Sequence, residues 1–166
     1  WHRDGPNPSP KEVNGALPWL YTKIGYFFTD LTIPAAGALR VVPGSNSYGG
    51  NVPTFGGEPY GAPEFNVKAG SAVIFENRLL HAVGPNYSKI ARKNIYIGYC
   101  FRYIRPIDYI TQPAELLAKA TPIQRQLLGE VPNGLSFYLP KEEEVPLVSW
   151  YRERTGGEKK TVKGNI

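Results

Sequence analysis

Residues 64–103 read EFNVKAGSAVIFENRLLHAVGPNYSKIARKNIYIGYCFRY, and this stretch decides the fold. Phe65 to Lys68, Ser71 to Glu76, Leu79 to Val83 and Lys93 to Tyr103 are rich in Val, Ile, Tyr and Phe, which suit a pleated, half-buried surface. Between them stand Ala69-Gly70, Asn77-Arg78 and Gly84-Pro85-Asn86, turn chemistry at close intervals. Short strands separated by such turns predict a mainly β, antiparallel sandwich or barrel.

Working outward, Leu20 to Leu31 predicts one more long strand, and Ala38 to Val42 a short one closed by Pro43-Gly44-Ser45. Residues 46–63 mix Gly, Pro, Asn and Tyr without periodicity and predict a long loop, a type more often functional than accidental. Beyond Pro106 the character changes. Pro113 to Ala120 and Pro122 to Leu128 have helical composition with proline at the first-turn position, and these helices are expected to pack outside the sheets. The expected organisation is a β portion over residues 1–105, a helical extension of the same domain over 106–151, and a basic, flexible tail over 152–166. Glu142-Glu143-Glu144 reads as solvated surface.

Composition agrees with one β-rich domain. The chain has 166 residues, 42% of them hydrophobic and 13% aromatic, enough for a core, while 18 Gly and 16 Pro favour turns over long helices. The net charge of +5 is concentrated in part in Arg152, Arg154, Lys159, Lys160 and Lys163, the pattern of a solvated end, so no nucleic-acid partner is expected. Cys100 is the single cysteine, which excludes an intrachain disulfide and a thiolate metal cluster. No apolar run is long enough to span a bilayer and no signal-peptide pattern opens the chain, so no membrane partner and a cytoplasmic location are expected. The abrupt Trp1-His2-Arg3-Asp4 start, in a chain without methionine, reads as the middle of something longer.

Two histidines occur in all, and His2 stands two residues from Asp4 in an extended segment. Residues i and i+2 of a strand share a face, so both side chains can converge on one ion. His81, in a strand far along the chain, is the candidate third ligand, expected to reach the ion from across a sandwich. Two histidines and a carboxylate fill one face of an octahedron and leave three positions open, the arrangement of non-haem Fe(II) oxygenases. Arg92 follows His81 by 11 positions, after a turn, where an adjacent antiparallel strand returns its guanidinium toward the ion for a bidentate pair with a carboxylate.

The sequence resembles the phytanoyl-CoA dioxygenase family, a branch of the Fe(II)/2-oxoglutarate oxygenases. The matching pieces are Trp-His-Arg-Asp at 1–4, Tyr-Phe-Phe-Thr-Asp-Leu-Thr at 26–32, Gly-Ala-Leu-Arg-Val-Val-Pro-Gly-Ser at 37–45, Gly-Ser-Ala-Val-Ile-Phe-Glu at 70–76, His-Ala-Val-Gly-Pro-Asn at 81–86, and Ser88 with Arg92. The resemblance covers roughly residues 1–105 and implies a double-stranded β-helix, the jelly roll of cupin-like proteins. It also implies an iron triad of His2, Asp4 and His81, with Arg92 as the 2-oxoglutarate-binding arginine. Tyr26 stands where relatives carry an aromatic residue beside the cosubstrate, and Ser88 offers a hydroxyl or serves as a turn residue. The implied activity is hydroxylation of a small organic substrate with dioxygen and 2-oxoglutarate, releasing succinate and CO2. Asp4 argues against halogenation, because related halogenases replace that carboxylate with a small residue. The family's usual Pro-Gly-Ser-His ends here in Asn46, and the region that precedes its first histidine has no counterpart. Substrate-facing candidates are Trp1, Arg3, Trp19, Tyr21, Tyr48, Phe55 and Tyr60. The alternatives are a non-catalytic jelly-roll binding module and an inactive fragment.

Overall fold

In the computed structural model the described residues are 1–5, 17–47, 51–130 and 140–157, and the chain forms two compact units, Trp1–Phe101 and Arg102–Ile166. Among the described residues, eight strands build the first unit: β1 Tyr21–Phe27, β2 Leu39–Val41, β3 Thr54–Phe55, β4 Glu58–Pro59, β5 Glu64–Phe65, β6 Ala72–Glu76, β7 His81–Val83 and β8 Asn94–Cys100. They make two three-stranded antiparallel sheets, ordered β6-β1-β8 and β5-β2-β7, with β3 and β4 as a separate hairpin.

The strands are shorter than their hydrophobic runs for local reasons. The run expected to continue to Leu31 leaves the sheet after Phe27, because the Asp30 carboxylate accepts from the backbone N–H of Thr32 at 2.9 Å and also from its hydroxyl. That Asx turn gives the backbone an alternative to the ladder. The long loop expected over 46–63 contains the β3–β4 hairpin among its described residues.

Both sheets share one core. Phe27 and Phe75 come from the first sheet and Leu39 and Val41 from the second, joined by Leu31 and Ala36, with Phe65, Val67, Val73, Leu79 and Tyr96 packed around them. Alternation along β1 sends Lys23 and Phe27 to this inner side and Ile24 and Tyr26 to the other, since successive strand residues point to opposite faces. Phe27 is fully buried and meets Tyr96 edge-on at 6.3 Å. Replacing it with alanine removes the whole ring from this core and is expected to lower unfolding free energy by about 3–5 kcal/mol. Denaturant titration of Phe27→Ala beside the parent checks this.

The second unit carries α1 Ala114–Lys119, α2 Pro122–Leu127 and α3 Pro146–Thr155. Thr121 caps α2 by accepting from Gln124 N, while the Gln124 side chain accepts from Thr121 N, a reciprocal capping box. Arg152 and Arg154, expected in a flexible tail, lie in the last turn of α3, which ends at Gly156 in the left-handed conformation. Cations there complement the negative end of the helix dipole. Lys159, Lys160 and Lys163 lie outside the described residues. Among the described residues, no helix is long and apolar enough to cross a membrane.

Candidate metal centre

Residues 2–4 run antiparallel to residues 77–81, the segment that leads into β7. His2 N donates to His81 O and His81 N donates to His2 O, both at 3.0 Å, while Asp4 N donates to Asn77 O at 2.9 Å. His81 therefore stands beside His2 in the same ladder, and not across the sandwich as the sequence led us to expect. Direct pairing turns both rings to one face, with centroids 4.4 Å apart, and the two-residue period brings Asp4 to that same face.

Asn77 fixes the backbone around this pairing. It is buried, its side-chain oxygen accepts from Leu20 N at 3.0 Å and Tyr21 N at 3.4 Å, and its amide donates to Asp4 O at 3.3 Å. One side chain thus ties the ligand-bearing segment to the start of β1. From sequence alone it reads as a turn residue.

Among the described residues, His2, Asp4 and His81 are the group whose donor atoms all lie within 4.8 Å of one another. His2 Nε2 is 3.4 Å from Asp4 Oδ1, and His81 Nε2 is 3.6 Å from Asp4 Oδ2. Three donors on one octahedral face, each about 2.1 Å from an ion, stand roughly 3 Å apart, so small side-chain rotations close this set.

The donor chemistry also fits. The Leu79 carbonyl, 2.9 Å from His81 Nδ1, can only accept, so the proton sits on Nδ1 and the Nε2 lone pair faces Asp4. Asp4 Oδ2 is buried and accepts no well-formed hydrogen bond, although the Lys23 ammonium touches it as an ion pair.

Burial holds the His81 imidazole below its ordinary pKa, with the Leu79 carbonyl and the Asp4 charge opposing, so the ring is neutral and ready to donate to a metal. A histidine with a depressed folded pKa binds its proton more readily when unfolded. Its contribution to stability is present above the ordinary histidine pKa and is lost as pH falls through that range toward the folded value. The thermal midpoint of the metal-free protein is accordingly expected to fall as pH drops through the histidine range. His81→Asn, which does not titrate, should flatten that slope in pH-resolved melts.

Arg92 lies at the other end of an aromatic floor. It donates to the Tyr96 hydroxyl at 3.0 Å, and Tyr96 stands edge-on to Phe75, itself 5.0 Å from the His81 ring. Arg92 Nε is buried and has no hydrogen-bond partner, a donor left for something else. Two glycines make room. Gly25 faces Tyr96 so closely that a Cβ there would sit 2.5 Å from the ring, and Gly37, at φ +79°, leaves space for the Arg92 stem.

Other candidates stand elsewhere. Tyr26 points to the outer face of β6-β1-β8 and shares a hydrogen bond with Tyr99, away from the donor cluster. Ser88 Oγ donates to Asn86 Oδ1 at 2.7 Å and accepts from Ile90 N at 3.1 Å, contacts that shape the turn before β8. Arg3 donates to the carbonyls of Arg78 and Ser45, and the Trp1 indole donates to Glu58, which also holds Arg40. Both therefore act as ties between segments. The Trp19 indole donates to the carbonyl of Tyr21, whose backbone pairs with Cys100 in the ladder; Phe55 and Tyr60 are exposed, and Tyr48 lies outside the described residues. Asn46 donates to Glu76, which pairs with Arg78. Lys23 and Tyr96 were missed by sequence reasoning. The available signal was spacing, because Tyr96 in β8 follows Arg92 by four residues, an even step in extended chain, and Lys23 shares the inner face with Phe27.

The sequence profile of the family described as Phytanoyl-CoA dioxygenase (PhyH) matches residues 1–94. "Dioxygenase cdmD" of Talaromyces verruculosus is 27% identical over 95 residues, covering 56% of this chain and 31% of that protein. The chain thus spans under a third of that relative's length.

Proposed function

The chain belongs to the phytanoyl-CoA dioxygenase family, and on that premise we propose that it is an Fe(II)- and 2-oxoglutarate-dependent dioxygenase that hydroxylates a small organic molecule. His2, Asp4 and His81 hold the iron, and Arg92 takes the distal carboxylate of 2-oxoglutarate. In this reading the two sheets are the halves of a double-stranded β-helix, with residues 1–105 as the catalytic portion and 106–151 as its helical extension. The observation that carries the proposal is the convergence of two imidazoles and one carboxylate with the His81 Nε2 lone pair turned inward.

Iron, when bound, supplies the activation of dioxygen that couples loss of CO2 from 2-oxoglutarate to oxidation of a C–H bond. The chain's own part is placement. The paired backbones of His2 and His81 hold two donors in register, and Asn77 fixes the segment that carries the third. Arg92 presents a charged fork and a partnerless Nε to an anion lying along Phe75 and Tyr96. Tyr96, its phenol pushed up by burial, stays protonated and able to donate. Asp4 occupies the position that chloride takes in related halogenases, which favours hydroxylation.

The test is succinate formation from 2-oxoglutarate in air with Fe(II). The expected result is turnover that stops without iron or without dioxygen. No succinate above a metal-only control would overturn the proposal.

A further inference from the structure

Lys23 stands on the inner face of β1 with its side chain 20% exposed, its ammonium in contact with Asp4 Oδ2. Its Nζ lies 5.7 Å from the Phe75 ring centroid and 5.6 Å from that of Tyr96. On the far side of Tyr96 comes Arg92, 3.0 Å from the phenol oxygen. Two cations therefore flank one aromatic floor, one at the donor cluster and one at the distal end.

We infer that Lys23 is a second binding cation for the dicarboxylate cosubstrate, taking the carboxylate at the metal end while Arg92 takes the other. This rests on the proposed function. The argument is one of charge. With a divalent ion in the cluster, the single negative charge of Asp4 faces both that ion and Lys23, and the ammonium loses much of its hold on the carboxylate. A half-buried cation so placed calls for another anion, because a buried charge is stable only when paired. A dicarboxylate supplies one charge to each cation. The four-carbon stem lets the ammonium swing from Asp4 to the incoming carboxylate without moving β1. Orientation of Asp4 alone is the competing role, and it predicts different binding.

The experiment uses Mn(II), which is stable in air, and isotopically labelled 2-oxoglutarate in equilibrium dialysis with the full chain. Lys23→Met is expected to bind 2-oxoglutarate about tenfold to a hundredfold more weakly once saturated with Mn(II), the loss of one charge-assisted hydrogen bond. Its affinity for Mn(II) is expected to be equal to or above the parent's, because a competing cation has gone. Lys23→Arg should recover most of the 2-oxoglutarate affinity. Lys23→Gln, which keeps length and polarity without charge, should behave as Lys23→Met does and serves if that variant does not fold. Weakened Mn(II) binding with unchanged 2-oxoglutarate affinity on the saturated protein overturns the inference and assigns Lys23 to holding Asp4. A parent that binds Mn(II) but no 2-oxoglutarate sinks the proposed function and the inference with it, whereas equal binding by parent and Lys23→Met sinks the inference alone.

Discussion

Asp4→Ala is expected to remove Fe(II) binding and succinate formation together, with a larger loss than His81→Ala and a much larger one than His2→Ala. Substitutions outside the ligand sphere of metal sites cost about 10–100-fold in affinity, so loss of a ligand should cost at least about a hundredfold. Asp4 ranks first for a reason particular to this chain. Its carboxylate is the anionic member of the donor set and also compensates Lys23. Alanine there deletes a donor and leaves an ammonium facing the incoming dication, a repulsion on the scale of about 4 kcal/mol for each pair of unit charges 4 Å apart at an effective dielectric of 20. His81 is buried at 5% exposure and oriented by Leu79, whereas the His2 side chain is 60% exposed and water can take its place on the ion. Anaerobic Fe(II) dialysis on the three variants measures the order. Equal losses in all three would contradict the electrostatic part of the account.

How much of this was legible in the sequence depends on the range of each interaction. The β class was readable from residues 64–103 because β-favouring composition and turn chemistry are local signals. The turn at Gly70 has φ +86°, as an Ala-Gly turn leads one to expect. Strand ends were less readable, since the Asp30–Thr32 turn competes with pairing that Phe28 to Leu31 would otherwise support. The helix Pro146–Thr155 is hard to see in the sequence. Arg152 and Arg154 have the composition of a charged tail, while in the folded chain they close a helix that begins on a proline and stops on Gly156.

The donor set was legible at Asp4 and His2 because two-residue spacing is a local rule. His81 had the right residue type, but its place beside His2 is set by a ladder between segments 79 positions apart, which no local pattern encodes. Lys23 shows the same limit from the other direction. A lone lysine in an apolar strand reads as an edge or surface residue until the register with β6 and β8 fixes which way it faces. Ser45 is another instance. The Pro-Gly-Ser turn reads as a motif, and its function in this fold is mechanical, because the buried Ser45 hydroxyl accepts from Leu80 N at 2.8 Å beside His81.

Arg92→Ala is expected to raise the KM for 2-oxoglutarate by about a hundredfold to a thousandfold, the loss of a two-pronged charged contact, with a smaller change in kcat. Arg92→Lys should recover only part, since a point charge replaces the fork. Gly37 supplies an independent handle on the same contact. Its φ of +79° is unfavourable for a side chain, and a Cβ there would sit 3.1 Å from Arg92 Cδ, so the Arg92 stem must shift if alanine is introduced. Gly37→Ala should therefore raise the KM about threefold to tenfold, besides the roughly 1–2 kcal/mol of stability that left-handed backbone costs a non-glycine residue. The two effects separate in the double variant. If Gly37 acts on cosubstrate binding through Arg92, then Gly37→Ala added to Arg92→Ala leaves the KM of the single Arg92 variant unchanged while the thermal midpoint still falls, the coupling expected of residues in contact. Multiplying KM effects in the double variant would mean that Gly37 reaches the cosubstrate by some other route.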